Sequence, residues 1–227
     1  MAPRSNKGKP AKRNPKVRGR SLWRKKPLRA VGRTVLIVCE DSKSSPDYFG
    51  KLRSKLRLKS VNVEVCGKEC GTSPINIVDY ALEKKEEVKT SSIRDGYDKI
   101  FCVIDIDEHE TDQAIQKARD NNLEIIISNP CFEYWYILHF EKTGKSYPSR
   151  SRLYSALSAH LKKHGYKSYN KSGCDFFDVI FPRTKATVKI SKAILREQWH
   201  DEPDLRKCDP STHVHRVVEE LIKMSDK

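Results

Sequence analysis

From Thr34 onward the chain alternates between short, continuous apolar runs and longer stretches in which apolar residues recur every three or four positions. The run Thr34-Val35-Leu36-Ile37-Val38-Cys39 is apolar and β-branched, which predicts a strand covered on both faces, like the inner strands of a parallel sheet. Val61 to Cys66 alternates instead and predicts a strand nearer a sheet edge. Lys99 to Ile104 and Leu123 to Ser128 predict a third and a fourth strand. Between these runs lie helical periods. Tyr48, Leu52 and Leu56 repeat every four residues after a Ser45 cap and Pro46 at the first helical position. Pro74 opens a second helix through Ile77, Val78, Ala81 and Leu82, and Thr111 to Asp120 forms a third. Such strand–helix alternation predicts an α/β fold with a mainly parallel four-stranded sheet flanked by helices.

After Asn129-Pro130 the pattern becomes helical. Cys131 to Phe140 reads as a packed helix, with Tyr134, Trp135, Tyr136 and His139 inside it. Leu153 to His164 and Ala186 to Trp199 read as two more. Asp209-Pro210 is a cap and first-turn signal for a last helix with a Val214, Val217, Val218, Leu221 and Ile222 stripe. His213 and His215, near its start, are expected at the surface, and residues 141–150 and 165–175 as surface loops. The expected organisation is a tail over 1–33, an α/β core over 34–140 and a helical extension over 141–227 packed on that core.

Composition sharpens this picture at one end. The net charge of +15 is concentrated in residues 1–33, which hold thirteen Lys or Arg and no Asp or Glu, leaving the remainder at +2. A segment so charged, with little to bury, is expected to be disordered when free and to seek a polyanion. Arg18, Arg20, Arg24, Lys25 and Lys26 are the candidate contacts to nucleic acid, DNA or RNA, through its phosphates. No apolar run approaches the roughly 20 residues of a membrane span, and no apolar stretch of a signal peptide follows the basic start. A soluble, cytoplasmic protein without a membrane partner is therefore expected. The seven cysteines lack the paired spacing of a structural zinc site and read as free thiols, Cys39 and Cys102 within the core.

Candidate chemistry gathers at two strand ends. The first strand runs into Glu40-Asp41 and the third into Asp105-Ile106-Asp107-Glu108. In an open parallel sheet, ligands collect at the carboxyl ends of the strands. Asp105 and Asp107, one residue apart, share a side of the chain and form a hard oxygen pair suited to Mg²⁺ or Mn²⁺. If the two strands are neighbours, Glu40 faces this pair, and the crowding of like charges raises a carboxylate pKa. Metal-assisted phosphoryl transfer with Glu40 as general acid or base is the chemistry such a set supports. A dinucleotide site is disfavoured, because no Gly-x-Gly-x-x-Gly follows the first strand.

Strand–Glu followed by strand–Asp-x-Asp resembles the TOPRIM fold of topoisomerases, primases and OLD-family nucleases. Four segments in order, LIVCEDSKSSPDYF, CVIDIDEHE, ISNPCFEYWYILHF and DPSTHVHRVVEEL, resemble more narrowly the RloB-like family of bacterial phage-defence and abortive-infection proteins. The resemblance implies a TOPRIM-like core, Glu40 as catalytic acid/base, and Asp105 and Asp107 as metal ligands. Glu133 resembles a recurrent position of that family and reads either as a further ligand or as a helix-start acid favoured by the dipole. Where the family commonly has Cys-Glu-Gly-Glu-Lys-Thr-Glu, this chain has Cys39-Glu40-Asp41-Ser42-Lys43-Ser44-Ser45. The first glutamate and Lys43, a candidate phosphate contact, remain. The resemblance implies a Mg²⁺-dependent nuclease of a phage-defence system, with an ABC/SMC-like ATPase as partner. The altered loop leaves open a catalytically silent subunit that binds nucleic acid or the ATPase.

Overall fold

The structure is a computed structural model that describes residues 33–66, 73–90, 96–106, 111–171, 174–201 and 204–226. Arg18, Arg20, Arg24, Lys25, Lys26 and Asp107 lie outside the described residues. Five strands make one sheet: β1 (Val35–Cys39), β2 (Val61–Val65), β3 (Lys99–Asp105), β4 (Glu124–Asn129) and β5 (Ser211–Thr212), in the order β2-β1-β3-β4-β5. The first four are parallel, and β5 runs antiparallel to β4.

The apolar runs divide by the two-residue period of a strand. Val35, Ile37, Cys39, Phe101, Val103 and Ile126 belong to one core, whereas Leu36, Val38, Ile100, Cys102, Ile104 and Ile127 belong to the other. The second core is covered by α2 (Pro74–Thr90), through Ile77, Val78 and Ala81, and by α3 (Asp112–Asp120), through Ala114 and Ala118. The first takes α1 (Ser44–Lys55), the short α4 (Glu133–Ile137), α5 (Arg150–Lys162) and α8 (Val214–Ser225). Between α5 and α8 the chain forms α6 (Phe177–Ile180) and α7 (Thr184–Trp199). No helix among the described residues is long and apolar enough to cross a membrane.

Two expectations are corrected. The sheet has five strands rather than four, because Asp209-Pro210 leads into β5 and the last helix starts only at Val214. Ser128 and Thr212 pair in register with their hydroxyls 2.8 Å apart, and the His213 N–H donates to the Ile127 carbonyl at 2.8 Å. Two polar residues carry no hydrophobic period, so this strand is set by its partner. His213 and His215 are buried rather than exposed, at 7% and 5% of their surface. His215 meets α7, where the Ser191 hydroxyl lies 3.1 Å from its Nδ1, and the His213 ring stands 6.1 Å from that of His215.

Candidate active site

The pairing of β1 with β3 aligns Cys39 with Val103, so the residues that follow each strand meet at the sheet's carboxyl edge. The Glu40 N–H donates to the Val103 carbonyl at 3.0 Å, and the Asp105 N–H donates to Glu40 Oε2 at 2.9 Å. β4 delivers the third acid. Its register pairs Asp105 with Ser128, and after the Asn129-Pro130 turn the Phe132 N–H donates to Asp105 Oδ1 at 2.8 Å. The next residue is Glu133, which is completely buried.

Glu133 uses its two oxygens differently. Oε1 accepts hydrogen bonds from the Ser44 hydroxyl and the Tyr169 hydroxyl, both at 2.7 Å, and the Lys171 ammonium stands 3.9 Å away. Oε2 is buried without a hydrogen-bond partner. Ser44 opens α1, whose first turn is held by Asp41: the Ser44 and Ser45 N–H groups and the Ser45 hydroxyl all donate to its carboxylate. Asp41 therefore does the capping expected of Ser45, and Pro46 is the third helical residue. Among the described residues the non-glycine positions of positive φ are Arg57, Asn122, His200 and Asp201, so Asp41 fits its loop without a glycine's freedom.

The field at this edge is negative. Loss of water pushes the Asp105 carboxyl well above its usual range, the charges of Glu133, Glu40 and Asp41 push it further, and Arg150 opposes them. Burial and then Glu133 likewise raise the Cys131 thiol and the Tyr154 and Tyr169 hydroxyls. A buried carboxylate oxygen without a donor, beside two further carboxylates, is a setting that a hard divalent cation satisfies. Glu40, Asp105 and Glu133 thus fit a Mg²⁺ or Mn²⁺ ion by donor type. Among the described residues, however, no three His, Cys, Asp or Glu side chains gather closely enough to enclose one, and Asp107 is outside them.

Lys43 is exposed in the loop between Glu40 and α1 and lines a cleft of about 510 Å³ with Ser42, Lys51, Ser168 and Asn170. Glu40, Asp105 and Glu133, named from the sequence, are brought together by the sheet. His139 lies elsewhere as a packed residue, its Nδ1 2.9 Å from the Trp135 carbonyl and its pKa pushed down to about 3 by burial. Ser44 and Tyr169 escaped sequence reading. Ser44 carried a weak signal, being a hydroxyl at a helix start. Tyr169, in a stretch read as a surface loop, carried none.

A family model described as RloB-like protein matches residues 35–221, from the start of β1 to within α8. Neither a curated protein nor a solved structure was found to match the chain. The match takes in all five strands and the three acids brought together at their edge, and on it the chain belongs to the RloB-like family.

Proposed function

We propose that this protein is a Mg²⁺- or Mn²⁺-dependent phosphodiester-cleaving enzyme, a nuclease with a TOPRIM-like acidic site, acting in phage defence alongside an ABC/SMC-like ATPase. The observation that carries the reading is the fully buried Glu133 carboxylate, whose Oε2 lacks a donor, in one site with Glu40 and Asp105. Asp105 and Glu133 hold the ion in this reading, with Asp107 as the further ligand that the family resemblance implies. A bound divalent ion supplies charge neutralisation of the scissile phosphate and of the leaving oxygen. Glu40 is the proton-transferring group. The Asp105 N–H donates to its Oε2 and so orients the carboxylate that exchanges a proton with the attacking or leaving oxygen. Lys43, on the adjoining cleft, neutralises a neighbouring phosphate. The basic residues 1–33, Arg18, Arg20, Arg24, Lys25 and Lys26 among them, add affinity for DNA or RNA without reading sequence.

The test is cleavage of plasmid, single-stranded DNA and total RNA by the purified full-length protein with Mg²⁺ or Mn²⁺. Glu40→Gln and the double change Asp105→Ala with Asp107→Ala run alongside. Metal-dependent cleavage is expected, reduced by about 10²-fold or more in both variants, the scale of a lost general acid/base. No cleavage, with salt-sensitive binding that survives both changes and disappears on removal of residues 1–33, would instead establish the silent binding subunit.

A further inference from the structure

We infer that Tyr169 and Ser44 are positioning residues for Glu133: together they occupy its Oε1 and so reserve Oε2 for a divalent cation. The inference rests on the metal-site reading above and assigns a role in it to the loop between α5 and α6. Each hydroxyl has one proton, and each lies 2.7 Å from the same carboxylate oxygen. With both protons committed to Oε1, the 3.1 Å separation between the two hydroxyl oxygens is a contact that the carboxylate holds together. Two donors on one oxygen and none on the other divide the carboxylate into an anchored half and a half left for a ligand. A ligand carboxylate is ordinarily held in this way by hydrogen bonds from residues that do not touch the metal.

Both donors are themselves fixed. The Tyr136 hydroxyl donates to the Ser44 carbonyl at 2.8 Å. The Tyr169 N–H donates to the Ser158 hydroxyl of α5 at 2.9 Å, and its ring packs against Tyr154, Tyr136 and Phe176 at centroid distances of 5.3, 6.3 and 6.1 Å. These contacts hold the ring in place whether or not the hydroxyl is present, which separates the two roles experimentally.

The experiment is titration of full-length protein with Mn²⁺, followed by the electron paramagnetic resonance signal of the free ion. Wild type is compared with Tyr169→Phe, Ser44→Ala, Glu133→Gln and Tyr166→Phe. The last removes a hydroxyl of the same loop that donates to the Asp175 carbonyl and does not face Glu133. Tyr169→Phe and Ser44→Ala are expected to weaken Mn²⁺ binding by about 10- to 100-fold, the usual effect of removing such a supporting bond. Tyr166→Phe is expected to bind as wild type. If Tyr169→Phe binds as tightly as wild type while Glu133→Gln does not, the tyrosine serves packing alone and the inference is overturned with the metal site intact. Equal weakening by Tyr166→Phe overturns it as well, since loosening of the loop is then the cause. Absence of Mn²⁺ binding by the wild type removes the metal site itself, and the inference with it.

Discussion

Asp105 carries two opposed obligations. Its Oδ1 accepts from the Phe132 N–H and so ties β3 to the turn after β4, yet its charge faces those of Glu133, Glu40 and Asp41 where water is largely excluded. Asparagine keeps the carbonyl acceptor and removes the charge. Asp105→Asn is therefore expected to raise the thermal midpoint of the metal-free protein, by about 2–4 °C for each ~1 kcal/mol of repulsion relieved in a chain of this size. On the proposed metal-site reading, Mn²⁺ is expected to raise the wild-type midpoint and to leave that of Asp105→Asn unchanged, a trade of function for stability. Scanning calorimetry with and without Mn²⁺ checks both halves, and a lower metal-free midpoint would show that the charge itself stabilises the fold. Glu40 and Asp105 were legible in the sequence because each ends a run that could only be a buried strand. Ser44 and Tyr169 were not, since they reach Glu133 across 89 and 36 residues, and no local pattern encodes a contact that only the finished fold makes.

Among the elements, those with an apolar run or a helical period were legible and those without were not. β1 and β3 announced themselves by continuous apolar runs, α4 by the apolar stretch from Cys131 to Phe140 and α8 by its stripe, whereas β5 is two polar residues long and carries neither signal. The cost of that blindness fell on His213 and His215, which follow β5 directly and are buried with it. The His215 Nδ1 lies 3.2 Å from the Thr212 carbonyl, whose oxygen also accepts from the Ser191 hydroxyl. Burial, aided by the nearby Arg216 charge, pushes His213 from 6.5 down to about 3 and His215 down to about 4. Both stay neutral when folded, while the unfolded chain takes up protons near 6.5. Their contribution to stability is thus complete above that pH and is lost as pH falls from about 6.5 towards 4 and then 3. Each pH unit of difference amounts to about 1.4 kcal/mol per histidine. Urea midpoints at pH 7.5 and about 4.5 are expected to fall steeply for the wild type and less for His215→Gln. An unchanged difference between the two pH values in that variant would place the acid sensitivity elsewhere.

On the scale of the whole molecule, the division at residue 140 made from the change of pattern has to be weighed against where the core lies. One apolar cluster joins Val35, Ile37, Phe49 and Trp135 to Leu153, Leu157, Leu161, Phe176, Val214, Val217 and Leu221. The sheet itself is completed by β5 from the C-terminal half, and Glu220 of α8 reaches back to Arg33 and to Lys99 of β3 at 2.8 Å each. The acidic site is shared in the same way, with Glu40, Asp105 and Glu133 from the first half and Tyr169 from the second. Removing residues 141–227 would strip one face of the sheet of α5 and α8 and leave large apolar surface in water, at roughly 25 cal/mol for each Å². Residues 34–140 are therefore expected not to fold alone. Urea unfolding of the intact chain, followed by far-ultraviolet circular dichroism and by tryptophan fluorescence, is expected to give one coincident transition reporting on Trp135 and Trp199 together. The fragment is expected to show no cooperative transition. A fragment that unfolds cooperatively, or an intact chain whose two signals separate, would establish that the α/β half is stable by itself and that the C-terminal half was added to a finished fold.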